Sequence, residues 1–280
     1  MNIRITADST CDLGQYVQER NIGIMPLQVH LDAQSYYDGV DITPSDIFDF
    51  VAKTGILPKT SAPSIGEYEE FFEKQLEEYA EIVHINISQK SSCSHANAIQ
   101  ASQKFGGRVH VVDSKALSSG QGLLVMKASD LLAEGKTAGE IEQILNETRE
   151  HVNTSFIPDS LDYLHKGGRV SGMVRVVAGM FKIHPLILMN DGQLVSGKKY
   201  KGKMTVLIKQ YIQDLKQMYP NYDKTRCFVT HSSADAELVE VAKAQVKEIF
   251  QFDEILETVA GSIVTSHCGR NTLGVLFIYE

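Results

Sequence analysis

The sequence predicts an α/β protein of two packed lobes, the first built on a parallel sheet and the second on a mixed one. Three observations predict it. Short β-branched runs alternate with helix-length amphipathic segments through the first half, the grammar of parallel strands joined by crossover helices. In the second half an Asn190-Asp191-Gly192 signal interrupts an apolar run and calls for antiparallel pairing. No repeat and no low-complexity linker separates the halves, so the lobes are expected to pack against each other rather than hang on a tether.

Each element has a local reason. Ile3 to Ala7, Ile22 to Leu31, Ile82 to Ser88 and Arg108 to Asp113 are the strand candidates of the first half. Ser64 stands three residues ahead of Glu67, a capping box, and Tyr68, Phe71, Phe72, Leu76 and Tyr79 follow as a helical stripe. Gln121 to Gly135 continues as a helix, and Thr137 with Glu140 repeats the capping device ahead of Ile141, Ile144 and Leu145. The second lobe is expected to begin between Asn153 and Pro158. It carries an apolar helix through Met173, Val177, Met180, Phe181 and Ile183, then a hairpin over His184 to Tyr200. Helices are expected over Met204 to Tyr219 and Asp235 to Phe250, and strands over GSIVTSHCG and TLGVLFIYE.

Composition removes several functions. A chain of 280 residues with 43% hydrophobic residues can bury a substantial core. Its net charge of -8 argues against a phosphate-backbone partner, which would require a clustered basic surface. Cys11, Cys93, Cys227 and Cys268 are scattered, without a CxxC pair or the spacing of a disulfide scaffold, which fits reduced thiols in a cytoplasm. The first residues show no export leader, and no run approaches the ~18 apolar residues of a membrane span, so stable membrane insertion is not expected. The histidines show no pairing of metal-ligand type and HExxH is absent, so neither a metal nor another cofactor is expected. GxSxG and the Walker pattern are missing, and Gly120-Gln121-Gly122 stops short of GxGxxG because Val125 fills the last position.

What remains is a crowd of hydroxyls at strand-to-helix turns. HINISQKSSCSHANAIQAS, His84 to Ser102, sets Ser88, Ser91, Ser92 and Ser94 between a strand and a helix. KTSAPS supplies Thr60 and Ser61 before another capped helix, and DSKALSSGQG puts Ser118 and Ser119 after a third strand. Such turns gather free backbone N–H groups, a helix dipole and O–H donors where the carboxyl ends of parallel strands meet, a place suited to an anion. The alternative is that each serine merely caps its own helix. YLHKGGRVSG presents Arg169 after paired glycines, or else simply ends a helix with a glycine cap. SHCGR places His267 and Arg270 after an apolar segment, and the helix through Met180, Phe181 and Ile183 is either core or the wall of a long apolar ligand.

Taken together, ADSTCDL, KTSAPS, the serine-rich loop, VVDSKALSSGQG, YLHKGGRVSG, IHPLILMNDGQL and SHCGRNTLG occur in an order that resembles the DegV family of bacterial fatty-acid-binding proteins over nearly the whole chain. The resemblance implies a three-layer lobe with a parallel sheet over 1–157 and a two-layer lobe with a mixed sheet over 158–280. One long-chain fatty acid would lie between them as ligand. It also implies a partner, a fatty-acid kinase subunit that phosphorylates the bound carboxylate to acyl phosphate for phospholipid synthesis. The carboxylate-binding residues of the family fall on Thr60 and its neighbour Ser61, on Ser92 and its neighbour Cys93, and on His267. Arg169 and Arg270 fall where a head-group or partner contact is expected, and Met180, Phe181 and Ile183 where the acyl chain would run. This chain departs from the family's L-S-G-T with Ser91-Ser92-Cys93-Ser94, from its G-P-G with Gly269-Arg270-Asn271, and from a frequent arginine with Lys198-Lys199-Tyr200-Lys201. The expectation is a carrier without turnover of its own. The competing class is a hydrolase or acyltransferase with Ser92 as nucleophile and His267 as base.

Overall fold

The structure is a computed structural model, and it describes residues 2–168 and 183–280. The first lobe runs β1 (Ile3–Asp8), α1 (Tyr16–Glu19), β2 (Gly23–Met25), β3 (Gln28–Leu31), β4 (Gln34–Tyr37), α2 (Pro44–Thr54), β5 (Lys59–Ser61), α3 (Ile65–Leu76), β6 (Glu81–Asn86), α4 (Ser94–Ser102), β7 (Val109–Asp113), α5 (Ser119–Ala133) and α6 (Ala138–Thr148). Both expected capping boxes form, with Ser64 accepting from Glu67 N and Thr137 from Glu140 N. β2, β1, β6 and β7 lie side by side in that order, all parallel. One face of this sheet buries Ile5, Val83 and Val112 against α5 and α6, and the other buries Ile82 and Val111 against Tyr68 and Phe72 of α3 and Ala98 of α4. The result is the expected three-layer arrangement.

Ile22 to Leu31 is not one strand. β2 ends at Met25, and Pro26, which has no N–H to offer a sheet, turns the chain out. β3 then pairs antiparallel with β4 and β5 in a separate small sheet that sequence reasoning did not foresee. This sheet fixes Thr60, directly opposite Val29.

The remaining elements are β8 (Val152–Asn153), β9 (Ser155–Ile157), α7 (Asp162–Gly167), β10 (Ile183–Asn190), β11 (Gln193–Lys201), α8 (Met204–Met218), β12 (Tyr222–Ser232), α9 (Ala236–Ile249), β13 (Glu254–Val259), α10 (Ser262–Cys268) and β14 (Thr272–Tyr279). The mixed sheet has the order β11-β10-β9-β14-β12-β13, with β8 also on β14. β8 and β9, which precede 158, thus pair within it. α8 and α9 cover its outer face through Leu207, Ile212, Val239 and Val246, packed on Val229, Val275 and Phe277. Its inner face turns Phe228 and Leu276 into the core around α5, and so joins the lobes. The Asp191-Gly192 turn closes the β10–β11 hairpin with φ of 46° and 76°, the left-handed pair that a two-residue turn needs.

GSIVTSHCG, expected as a strand, is α10. Ile263, Val264 and Thr265 favour strand locally, but contacts from the first lobe hold the segment helical, as described below. Among the described residues no helix is long and apolar enough to cross a membrane, and no group of three or more His, Cys, Asp or Glu could hold a metal.

Candidate functional site

The carboxyl ends of β1, β2, β6 and β7 face the inner side of the mixed sheet, and between them lies a cavity of about 940 Å³ counting its open mouth. One row across the mixed sheet shows how its wall is graded. Ile187, Phe156, Gly274, Thr230 and Thr258 stand in register, so the face passes from apolar through a bare glycine to hydroxyls. Leu117, Leu164 and Leu194 extend the apolar part and pack with Phe156.

The polar groups come from separate elements. Thr60 Oγ1, on β5, and His267 Nε2, near the end of α10, are hydrogen-bonded at 2.9 Å. Behind the imidazole stands Gly167, where an added Cβ would lie 2.6 Å from Nδ1. Gly168 beside it has a φ of 68° and caps α7. Of the paired glycines, one is therefore the helix cap and the other makes room for the histidine. Ser61 also lines the cavity, and its hydroxyl bonds His30 Nε2 at 2.8 Å.

The serine-rich loop leaves β6 with its base pinned. The buried Asp8 carboxylate accepts from Tyr68 Oη at 2.6 Å, from Asn86 Nδ2 and from Ile87 N at 3.0 Å. Ser91 and Ser92 line the cavity, while Ser92 Oγ also accepts from Ser94 N at 3.2 Å and meets Ser94 Oγ at 2.8 Å. Cys93, not Ser92, holds the N-cap position of α4, and its side chain makes no cap hydrogen bond. After β7, Ser118 lines the cavity at a φ of 54° and donates to Asp12 Oδ2 at 2.5 Å. Gly120 and Gly122 serve packing: an added Cβ would collide with Thr154 Oγ1 at the first and stand 2.6 Å from Cys11 O at the second.

α10 is held at its start by two carboxylates. Gly261 N donates to Asp12 Oδ1 at 2.9 Å and Ser262 N to Asp38 Oδ1 at 2.7 Å. Burial pushes Asp12 up to about 8 against the hydrogen bonds from Ser118 and Gly261, and nearby Asp38 adds to the rise. Burial likewise raises Asp38. The Cys268 thiol is driven up to about 12 by burial, which leaves it a poor nucleophile.

The structure therefore brings Thr60, Ser61, Ser92 and His267 to one cavity. Cys93 is exposed at the start of α4 and is not part of the described wall. Arg270 is exposed, its guanidinium 5.0 Å from the centroid of the Phe48 ring. Ile183 opens β10 half-buried, paired with Lys201 and away from the described wall, because the segment is strand rather than helix there. Arg169, Met180 and Phe181 lie outside the described residues. Sequence reasoning missed Phe156, Leu194 and Thr230 as cavity residues. Their period-two alternation was visible, but which face of a strand turns to a second lobe depends on packing between distant segments.

Known proteins share this arrangement. The family model described as uncharacterised proteins of the DegV family matches residues 2–280. A DegV domain-containing protein of Clostridium acetobutylicum is 30% identical over 278 residues, covering 99% of this chain and 98% of its own. A solved DegV family protein from Thermus thermophilus, described by its fatty acid binding, superposes with a TM-score of 0.92 at 26% identity over the full length of both chains. A stearic acid-binding protein from Eubacterium ventriosum gives 0.87 at 25% identity, over 99% of this chain and 98% of its own. The family model and the relatives match over the whole length, and the chain belongs to the DegV family.

Proposed function

We propose that the chain binds one long-chain fatty acid in the cavity between its lobes and presents the carboxylate to a partner kinase for acyl-phosphate formation. The observation that carries this is the convergence of Thr60, Ser92 and His267 beside walls formed by Leu117, Phe156, Leu164 and Leu194. Hydroxyl and imidazole donors replace the water a carboxylate loses on burial, and the acyl chain gains about 0.8 kcal/mol per buried methylene. Solved relatives described as fatty-acid-binding support the ligand class. The kinase step follows from the family resemblance, and the exposed Arg270 above Phe48 offers a cationic, aromatic surface three residues beyond His267, past the end of α10.

A hydrolase would need Ser92 Oγ on the imidazole base. Here His267 Nε2 meets Thr60 and Ser92 Oγ meets Ser94, an arrangement that favours the carrier over a nucleophile–base pair. The test is mass spectrometry of lipid extracted from the purified protein, followed by incubation with a fatty-acid kinase subunit and ATP. The expected results are about one fatty acid per chain, as one binding cleft requires, and acyl phosphate only when the kinase is present. No fatty acid even after incubation with palmitate, or an acyl adduct on Ser92 that turns over, would refute the proposal.

A further inference from the structure

We infer that Asp12 and Asp38 are positioning residues for His267, two carboxylates of the first lobe that aim the helix carrying the imidazole into the cavity. α10 has only seven residues, and Ile263, Val264 and Thr265 disfavour helix, so it does not persist on its own propensity. The first N–H groups of any helix lack internal partners. Here two of them are satisfied from 249 and 224 residues away, by Asp12 and Asp38. Both carboxylates are buried, with 5% and 4% exposure. They close on Gly261, where a Cβ would stand 3.0 Å from Asp12 Oδ1 and 3.2 Å from both oxygens of Asp38. Asp12 is itself fixed by Ser118 Oγ, and Ser262 Oγ adds a bond to Ile42 O.

His267 is five residues beyond Ser262, about 7.5 Å along the helix, so these carboxylates act on the ligand site only through the orientation of α10. A tilt at the start of the helix moves the imidazole against Thr60 at its end. The groups facing the pair are the thiols of Cys11 and Cys268 and the hydroxyls of Ser9, Ser118 and Ser262. Asp12, raised to about 8, is mostly uncharged near neutrality, and an uncharged carboxyl still accepts an N–H. The role is therefore one of an acceptor in the right place, which asparagine can fill.

This inference rests on the proposed carboxylate-binding role of His267, and the experiment separates the two. Asp12→Ala, Asp38→Ala and their Asn counterparts are compared with the parent, each with His267 intact and as His267→Ala. The imidazole NMR signal of His267 in ligand-free protein and the Kd for palmitate are both read. The Ala variants should displace the His267 signal and weaken palmitate about tenfold, the size of one lost hydrogen bond to a charged group. The Asn variants should restore both, and in the His267→Ala background the same Ala changes should cost under about twofold, because their effect passes through the imidazole. If an Ala variant fails to fold, Gly261→Ala, which presses a methyl on the carboxylates, should displace the same signal. An unmoved His267 signal, or an equal loss of affinity with and without His267, overturns the inference. A displaced signal in a chain that does not bind palmitate supports the positioning and refutes only the fatty-acid proposal.

Discussion

Replacing Gly167 by alanine tests the site with a single methyl group. Gly167 is helical and has no positive φ, so alanine suits the backbone and by propensity alone would favour α7 by up to about 1 kcal/mol. The new Cβ, however, would stand 2.6 Å from His267 Nδ1, about 0.8 Å inside ordinary van der Waals contact, which begins at 3.4 Å. If the ring yields by that amount along its bond to Thr60, the 2.9 Å contact either compresses or breaks, since displacement outward stretches it to ~3.7 Å, beyond hydrogen-bond range. A carboxylate that depends on both groups then loses about 1.5–3 kcal/mol, or roughly 10- to 150-fold in Kd. The neighbouring Gly168→Ala is the control. Its φ of 68° strains any side chain but nothing lies within 4 Å of the added Cβ, so it should lower stability by about 1–2 kcal/mol and leave affinity alone. Isothermal titration with palmitate and urea unfolding of both variants separate the two effects. A Gly167→Ala protein that binds as the parent does would refute the placement of His267 at the head group.

Thr60→Ala and Ser92→Ala should each weaken fatty-acid binding by about 1.5–3 kcal/mol, and the double variant by less than the sum if both donate to one carboxylate; titration of the set decides it. Asp12 has a folded value near 8, above its ordinary 3.8, so its contribution to stability is complete below 3.8 and is lost as pH rises through 8. Urea unfolding from pH 5 to 9 should therefore show a decline in the parent, at most about 1.4 kcal/mol per pH unit, that is reduced in Asp12→Asn. Gly274→Ala would bring a Cβ to 2.6 Å from Ser155 O inside the mixed sheet. It should cost about 1–3 kcal/mol of stability, read as a lower urea midpoint.

Local chemistry carried most of the first lobe. The capping boxes at Ser64 and Thr137 and the parallel strands depend on residues a few positions apart and are found as expected, as is the Asp191-Gly192 turn of the second lobe. The failures are the places where a distant segment decides. Residues 262–268 look like strand, yet Asp12 and Asp38 cap them as a helix. Ile22 to Leu31 looks continuous until Pro26 divides it between two sheets. In the cavity, the hydroxyl turns were legible because each stands at a strand end. The wall made by Phe156, Leu194 and Thr230 was not, because it requires knowing which face of the second sheet meets the first lobe.

The β10–β11 hairpin has a kinetic consequence. Its tip reaches the first lobe, where Ser88 Oγ donates to Gly192 O at 2.7 Å and Asp191 takes Lys90 and Lys115 at 2.6 and 2.9 Å. Those two ammonium groups hold the Asp191 carboxyl, itself exposed, down at about 2. Leu194, two residues past the tip, is cavity wall, so the tip tethers one side of the chamber to the loop bearing Ser91 and Ser92. Salt screens exposed ion pairs far more than it disturbs buried contacts. Exchange of an acyl ligand should therefore quicken as ionic strength rises, in both directions, while its equilibrium occupancy changes little, and stopped-flow displacement at 0.05 and 0.5 M salt would read the difference. The residence time of such a ligand would then be tuned at the surface, apart from the strength of the grip.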